Sequence, residues 1–243
     1  MTLPAILDLR EASRSAMIEL GDVPVAQRAS VIATWRARMV NEYASSEVFE
    51  ALGEQLGAAI DPSLADECAR FSEEERRHGV LCGAVVEACG GEARAPVPVR
   101  PQFPLHLDAP PRAAALRNVI HVSCMSETVA VSLIGAERLE MPPGPLRELL
   151  TRIYADEVGH ARFGWRLLER VASDLDANER AAIERYLPVA FEHLTTHELL
   201  HLPDRGAPEG GAAFGLCSGR DARVLLEETI AEVIRPGLAR WFA

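Results

Sequence analysis

The chain of 243 residues contains no lysine, so all 25 of its basic residues are arginines. Enzymes that form a Schiff base with a substrate or with pyridoxal phosphate need a lysine amine, and a P-loop binds phosphate through a lysine. The absence of lysine excludes these classes. The formal net charge of −11 argues in addition against nucleic acid and anionic membranes as main partners.

Three further absences concern the compartment. The five cysteines form no Cys-x-x-Cys pair, which excludes a rubredoxin-like iron centre and favours free thiols in a reducing compartment. Residues Met1 to Glu19 lack the apolar core of a signal peptide. The sequence also has no run of 18 apolar residues, the length that a membrane-spanning helix needs. We therefore expect a cytoplasmic protein that does not span a membrane.

Two short segments each place a glutamate three residues before a histidine, namely Glu75-x-x-His78 and Glu157-x-x-His160. At this spacing the glutamate and the histidine lie on one face of a helix. A single such pair has little meaning, because chance supplies one in many chains of this length.

Another acid precedes each segment, and this gives the pattern its meaning. Glu42 lies 33 residues before Glu75, and Glu127 lies 30 residues before Glu157. A charged side chain within an apolar stripe is costly unless it is paired or bound to a metal. The four carboxylates and two imidazoles form a ligand set for two metal ions in a helix bundle.

Apolar periodicity and helix-stop signals predict an all-α protein. Residues 90–111 are rich in proline and are predicted to be extended. At ~3.1 Å per residue this segment spans ~60 Å, more than the ~40 Å length of a 27-residue helix. It can therefore form a long crossover that makes the second and third bundle helices parallel. The predicted helices are residues 4–20, 24–60, 63–89, 112–140, 145–173, 176–200 with a kink at Pro188, and 220–234, and residues 203–219 are a predicted loop.

The spacing of the acids gives an independent test of the metal hypothesis. In an antiparallel helix pair, residues at equal distances from the turn face each other. The midpoint of Glu42 and Glu75 falls near residues 58–59, close to the predicted Asp61-Pro62 turn. The midpoint of Glu127 and Glu157 is residue 142, within the second turn. Both pairs are therefore expected to meet halfway along the bundle.

Six residues carry a resemblance to a known family: Glu42, Glu75, His78, Glu127, Glu157 and His160. With this pattern the chain resembles the ferritin-like di-iron carboxylate proteins, in the branch of O₂-activating oxidases and oxygenases. The resemblance covers about residues 24–173. It implies a ferritin-like four-helix bundle with a long crossover between helices two and three, plus additional N- and C-terminal helices. We expect one ferritin-like domain over residues 1–243, with a core bundle at about 24–173 and a helical extension at about 174–243.

The resemblance also implies a role for each residue. Glu42, Glu75 and His78 would hold one iron ion, and Glu127, Glu157 and His160 the other, with Glu75 and Glu157 as bridging ligands. In similar proteins the acid just before each Glu-x-x-His segment receives a hydrogen bond from the opposite histidine. Here Asp156 would serve His78, and Glu74 would serve His160. A mixed manganese–iron pair suits the same ligands.

Two departures from related patterns narrow the assignment. Helical N-oxygenases with a third histidine place it four residues before the second Glu-x-x-His, where this chain has Ile153. Ribonucleotide-reductase-like members place a radical tyrosine seven residues after the first glutamate, where this chain has Cys82. The departures weaken an N-oxygenase assignment and argue against a stored tyrosyl radical.

A competing motif lies near the C-terminus. Residues His197 to His201 match His-Glu-x-x-His, the signature of zinc hydrolases, and Glu227 or Glu228 is a candidate third ligand. However, Pro203 follows almost at once, and no substrate-binding strand is evident nearby. A pair of histidines at a helix end, favoured by the helix dipole, is the preferred interpretation.

The resulting hypothesis is an enzyme that uses two iron ions and O₂ to oxidise a small organic substrate, with electrons from an external donor or reductase. Gly164, Ser123 and Ala130 are small inward residues expected to leave room for the substrate. Residues 174–243 either cap the pocket or form a homodimer contact. Three alternatives stay open: a ferroxidase or other iron-handling protein, a zinc hydrolase, and a metal-free helical interaction module.

Overall fold

The computed structural model describes residues 5–99 and 102–242 and confirms the predicted all-α fold. Within the described residues, the only sheet is a pair of three-residue strands. The strands and helices, in chain order, are β1 (Ile6–Asp8), α1 (Arg10–Ser15), α2 (Val25–Ala59), α3 (Ser63–Ala88), β2 (Arg94–Pro96), α4 (Pro111–Val119), α5 (Glu127–Glu140), α6 (Pro145–Val171), α7 (Ala177–His201), α8 (Gly219–Thr229) and α9 (Arg235–Ala239).

The N-terminal segment differs from the single helix predicted for residues 4–20. Residues 6–8 form β1, which pairs antiparallel with β2 so that Leu7 faces Ala95, and only Arg10–Ser15 is helical. This pairing joins segments almost 90 residues apart, so local periodicity does not reveal it. The short helix α1 then docks on α3, where a Cβ atom on Gly83 would lie 2.2 Å from the Ser13 Oγ atom.

The four bundle segments follow the predicted boundaries closely. The long helices α2 and α3 are joined at Asp61, whose carboxylate accepts a hydrogen bond from the Ser63 backbone N–H at 3.0 Å. The apolar stripe of α2 is buried, including Trp35, Met39 and Phe49. The helix α6 packs against both α3 and α5, which places the two Glu-x-x-His segments on neighbouring elements.

The described residues 89–99 and 102–110, between α3 and α4, contain no helix, as predicted, whereas residues 100 and 101 of the predicted crossover lie outside the described residues. Two buried polar residues of α4 anchor this segment. The Asn118 amide donates to the Pro104 carbonyl at 2.7 Å and to Gln55 Oε1 at 2.8 Å. Arg117 donates through Nη1 to both Asp108 carboxylate oxygens and through Nη2 to the Ala182 carbonyl. The bond to Pro104 satisfies a backbone carbonyl that a crossover without regular structure leaves unpaired, and the bonds to Asp108 hold the end of the crossover against α4.

The predicted helix 112–140 is continuous but contains a π-helical turn at Ile120–Ser126, directly before Glu127. Such turns are rare in proteins overall, but those that occur often lie at functional sites. The neighbouring helix α6 approaches this turn closely, since a Cβ atom on Gly164 would lie 2.6 Å from the Ser123 Cβ atom. The π turn therefore sets the position from which Glu127 projects.

The C-terminal third adds a second helical layer. The helix α7 begins with a capping box between Asp176 and Glu179 and continues through Pro188. Residues 203–218 form the predicted loop, apart from a 3₁₀ turn at Gly211–Phe214. The last helix begins near the predicted residue 220 but extends past residue 234 through a second π turn, Ile230–Ile234, into α9.

Within the described residues, one helix is long and apolar enough to cross a membrane by length and composition alone: the continuous segment Pro111–Glu140. In this structure 44% of its most apolar window is buried, and the helix carries Glu127 into the protein interior. These features are consistent with the core helix of a soluble protein.

Candidate metal centre

The six residues singled out in the sequence converge at the middle of the bundle. Five of them are buried, and Glu42 is half-buried. Their side chains come from four elements: Glu42 from α2, Glu75 and His78 from α3, Glu127 from the first residue of α5, and Glu157 and His160 from α6.

The converging side chains form two overlapping groups of candidate ligands. Within each group, one ligand atom from every residue lies within 4.8 Å of the others. Glu75 and Glu157 belong to both groups. The first group is Glu42, Glu75, His78 and Glu157, and the second is Glu75, Glu127, Glu157 and His160. This buried carboxylate–histidine cluster is able to hold a metal ion.

Each histidine turns its Nδ1 atom towards the carboxylates. His78 Nδ1 lies 3.2 Å from Glu157 Oε1 and 3.6 Å from Glu42 Oε2. His160 Nδ1 lies 3.0 Å from Glu75 Oε1 and 3.2 Å from Glu157 Oε2. The Glu-x-x-His segments are thus interlocked, because the histidine of each segment faces the glutamate of the other.

The Nε2 atoms point away from the cluster and meet the two acids that precede the segments. His78 Nε2 lies 3.1 Å from Asp156 Oδ2, and His160 Nε2 lies 3.0 Å from Glu74 Oε2. An ionised carboxylate only accepts hydrogen bonds, so each Nε2 carries the hydrogen. A metal ion would bind each ring at Nδ1, in place of the second proton that the neighbouring carboxylates favour on the imidazole.

The electrostatics of the cluster reflect an excess of negative charge. Burial, followed by repulsion from Glu157 and Glu42, raises the pKa of Glu75 well above its usual range. Burial, followed by Glu157 and Glu75, does the same to the pKa of Glu127. Burial lowers the pKa of His78, but the adjacent Glu157 and Glu42 carboxylates outweigh it and raise that pKa to about 11. The pocket therefore favours an added positive charge.

Divalent cations fit this donor set. His78 Nδ1 is buried and has no hydrogen-bond partner among the described residues, although three carboxylates surround it. A buried nitrogen without a partner is costly, and a coordinated metal ion removes that cost. The four carboxylates, when ionised, would neutralise the charge of two divalent cations, which matches the two ligand groups.

A cavity of about 690 Å³ reaches the cluster, and Glu42, Glu75, Glu127 and Glu157 form part of its wall. Its volume lies in the range of small-molecule sites. The remaining wall is mixed: apolar side chains of α2, α5 and α6 form one part, and polar side chains, several of them from α7 and α8, form another. The apolar part includes Val48, Leu133, Ile134, Leu150 and Ile153.

The expectation about small residues is correct for only one of the three. Ala130 lines the cavity, whereas Gly164 and Ser123 do not. The missing side chain of Gly164 is compensated by the π turn, which packs Ser123 and Cys124 into that space. The room at Gly164 therefore serves helix packing and not a substrate.

The two positions at which the pattern departs from related families also line the cavity. Ile153 is buried, so no third histidine is present there. Cys82 is buried as well, and its pKa is raised well above the usual value by burial and by the nearby Glu42 carboxylate. Cys82 is therefore a protonated, neutral wall residue.

The His-Glu-x-x-His motif does not form a metal site of the expected kind. Within the described residues, His197 and His201 belong to no group with ligand atoms close enough to share an ion. Their rings meet edge to face with centroids 4.8 Å apart at the end of α7. Glu227 and Glu228, the candidate third ligands, are both exposed.

Several cavity residues had no signal in the sequence. His121 lies against His193 with ring centroids 4.9 Å apart, and both line the cavity together with His197. Arg38 and Glu137 meet across the cavity wall from α2 and α5. In the sequence, the only indication that Arg38 lies near the site is its position four residues before Glu42, which places both side chains on one helix face.

The chain was compared with protein-family models, curated proteins and solved structures, and none of the three comparisons found a match. Its helical architecture and its buried carboxylate–histidine cluster are compatible with a ferritin-like fold.

Proposed function

We propose that the protein is a ferritin-like, non-haem di-iron enzyme that uses O₂ to oxidise a small organic substrate. The observation that carries this proposal is the sharing of Glu75 and Glu157 between two four-residue ligand groups. Two carboxylates common to both groups are suited to bridge a pair of ions, whereas a single-ion site needs no such duplication.

The chemistry of the donors favours iron or manganese. The groups combine carboxylate oxygens with imidazole nitrogens and contain no thiolate. This combination suits Fe(II) and Mn(II), while structural zinc sites favour cysteine and histidine. When bound, two ferrous ions would supply the redox chemistry that makes O₂ reactive towards an organic molecule.

The chain's own residues would prepare the site for that chemistry. Asp156 and Glu74 hold the rings of His78 and His160 in position through their Nε2 hydrogen bonds. The apolar part of the cavity wall would provide a surface for a hydrocarbon portion of the substrate. Such a chamber favours an enzyme over a protein that only handles iron, because a hydrated ion gains nothing from apolar walls.

The electron balance implies a partner. Complete reduction of O₂ takes four electrons, of which a two-electron oxidation of the substrate supplies two. The other two would come from an external donor or reductase. The cytoplasm remains the proposed location.

Anaerobic titration with Fe(II), followed by O₂, tests the proposal. We expect uptake of about two iron ions per chain, as the two ligand groups imply. Mixing with O₂ in a stopped-flow spectrometer should then give a transient absorption in the near-visible region. The double variant Glu75→Ala/Glu157→Ala should show neither.

Two results would count against the enzyme. Failure to take up iron would remove the basis of the proposal. Size-exclusion and light-scattering masses that correspond to a large hollow cage would favour the ferroxidase alternative. The zinc-hydrolase alternative predicts instead that Glu198→Ala abolishes activity, whereas the di-iron proposal predicts that this change leaves iron uptake intact.

A further inference from the structure

The cavity beside the carboxylate–histidine cluster contains a single arginine among the described residues that line it, namely Arg38. Its Nη2 atom donates to Glu137 Oε2 at 2.6 Å. The guanidinium also lies over the Trp35 ring, 4.8 Å from its centroid. These two contacts fix the orientation of the arginine without using all of its N–H groups.

Both partners of this ion pair retain unused hydrogen-bonding capacity. Glu137 is only 7% exposed, yet its Oε1 atom has no hydrogen-bond partner among the described residues. On the arginine, the bond to Glu137 is the only side-chain hydrogen bond within the described chain, and a quarter of the side chain remains accessible. A buried oxygen without a partner in a cavity wall is a candidate acceptor for a ligand that carries a donor.

The neighbouring Cys217 thiol interacts with the Glu137 carboxylate but supplies at most one weak hydrogen bond. Burial, followed by the Glu137 carboxylate, raises the pKa of the Cys217 thiol to about 12, so the thiol is neutral. A thiol is a weak donor. Gly215 lies above the same carboxylate, where a Cβ atom would approach Oε1 to 3.1 Å. The oxygen is thus held in a confined space between the loop and the cavity.

The charge of the surroundings selects the ligand. The Arg38–Glu137 pair is neutral as a unit, and the other acids that line the same cavity are Glu42, Glu75, Glu127, Glu140, Glu157, Glu198 and Asp221. These acids oppose a simple anion and favour a ligand with a positive group, and Arg38 is the one cation of the described lining that can meet a negative group. A ligand with adjacent negative and positive groups meets complementary charge on both sides.

We propose that Arg38 and Glu137 bind the carboxylate and ammonium groups of an amino acid whose side chain is apolar. This assignment rests on the proposed function, since it names the substrate class of the same cavity. The arginine offers two parallel N–H groups to the carboxylate, and Glu137 Oε1 accepts from the ammonium group. Ile134, Leu150 and Ile153 provide the apolar wall for the side chain.

The position of the pair suits an oxidation on that side chain. Arg38 precedes Glu42 by one helical turn, which is ~6 Å along the axis. An amino acid anchored by its charged groups would therefore extend its carbon chain past the carboxylate–histidine cluster.

Isothermal calorimetry with three probes of matched chain length tests the proposal: L-2-aminooctanoate, octanoate and heptylamine. The wild-type protein should bind the amino acid at least about tenfold more tightly than either of the others, because each probe that lacks one group leaves a buried charge unmatched. Arg38→Gln and Glu137→Gln should each weaken binding of the amino acid by about tenfold to a hundredfold.

Controls separate recognition from folding. Arg152→Gln, at an exposed arginine of α6 outside the cavity lining, should leave the affinity unchanged. Arg38→Lys keeps the positive charge but lacks the planar set of N–H donors of a guanidinium group. Compared with Arg38→Gln, it should therefore restore folding stability without restoring affinity for the amino acid. Circular dichroism and Fe(II) uptake should match the wild type in these variants.

The outcomes distinguish this inference from the di-iron proposal, because binding is measured both without metal and with Fe(II). Equal affinity for octanoate or heptylamine would overturn the amino-acid assignment, as would wild-type affinity in Arg38→Gln. If the protein binds the amino acid but takes up no iron, the assignment of Arg38 and Glu137 stands and the di-iron proposal fails.

Discussion

Nδ1 of His160, on α6, lies 3.0 Å from Oε1 of Glu75, on α3. The reciprocal contact joins His78 on α3 to Glu157 on α6 at 3.2 Å. Each candidate ion would therefore depend on both helices. The packing of α3 against α6 is thus a condition for either ligand group to exist.

Removal of a shared ligand should cost more metal than removal of an unshared one. Glu157 belongs to both ligand groups and Glu42 to one. We expect Glu157→Ala to bind less than about one iron ion per chain and Glu42→Ala to retain about one, by elemental analysis after anaerobic loading. The exposed Glu47 provides a matched control on α2, and Glu47→Ala should load like the wild type. Equal loss in the Glu42 and Glu157 variants would contradict the overlapping arrangement.

The carboxylate cluster should destabilise the protein when no metal is bound. Glu127 is 7% exposed and faces the Glu157 and Glu75 carboxylates. The folded protein opposes ionisation of Glu127, whereas the unfolded chain ionises it freely, so the uncharged replacement Glu127→Gln should raise the free energy of unfolding of the metal-free protein at neutral pH by about 1–3 kcal/mol. Urea unfolding in the presence of a chelator measures this change.

With metal bound, Glu127→Gln should raise the free energy of unfolding less than it does without metal, or should lower it. Bound ions stabilise the folded state in proportion to their affinity, and a glutamine amide at this position would be a poorer ligand than the native carboxylate. A repeat of the urea experiment with saturating Mn(II) tests the reversal. A stabilisation of equal size with and without Mn(II) would show that Glu127 does not contact the ion.

The bundle helices and the convergence of the six candidate ligands were predictable because both depend on local patterns. Glu75 and His78 share a face by helical geometry, and the distances of Glu42 and Glu75 from their turn match. These constraints need only the assumption that helices joined by a short turn pack antiparallel.

Other features depend on contacts between segments far apart in sequence. No residue of Ile120–Ser126 marks a π turn, since its shape depends on how Gly164 of α6 packs against it. The strand β1 exists only because β2 pairs with it. Arg38 and Glu137 are 99 residues apart, so their pairing is likewise a product of the fold.

The acids that hold the histidines should tune metal affinity without forming the site. Asp156→Asn and Glu74→Gln each replace a carboxylate that accepts a hydrogen bond from a histidine Nε2. Loss of such partners typically lowers metal affinity by about tenfold to a hundredfold. Competition with a fluorescent chelator measures this affinity. Glu169→Gln, at an exposed acid of α6, is the control, and an effect as large as that of Asp156→Asn would mean that overall charge is responsible.

Replacement of Gly164 and of Gly159 by alanine should have opposite effects on stability, although both residues belong to α6. A Cβ atom at Gly164 would lie 2.6 Å from Ser123 Cβ and 2.8 Å from Cys124 Sγ, whereas nothing lies within 4 Å of one at Gly159. Gly164→Ala should therefore destabilise the protein by about 1–3 kcal/mol through overpacking. Gly159→Ala should stabilise it by about 0.5–1 kcal/mol through helix propensity. Chemical unfolding of both variants measures these changes, and a stabilising Gly164→Ala would contradict the close approach of α6 to the π turn.

The His121 imidazole should make the stability depend on pH. Burial, followed by the nearby His193 and His197, lowers the pKa of His121 to about 4. The unfolded chain has a histidine pKa of about 6.5. Between these values the unfolded state binds a proton that the folded state excludes, so the folded state loses stability as the pH falls from about 6.5 towards about 4. For one group the loss approaches about 1.4 kcal/mol per pH unit.

The substitution His121→Gln removes this titrating group. The free energy of unfolding of the His121→Gln variant, plotted against pH, should run parallel to the wild-type curve above about pH 6.5. Below about pH 6.5 it should fall less steeply than the wild-type curve. His201→Gln, at an exposed histidine of the same ring series, controls for the loss of an imidazole. Because the carboxylates of the cluster titrate in all three proteins, only the difference between the curves reports on His121. Superimposable wild-type and His121→Gln slopes between about pH 6.5 and about pH 4 would mean that the folded protein accommodates a charged imidazole at this wall of the cavity.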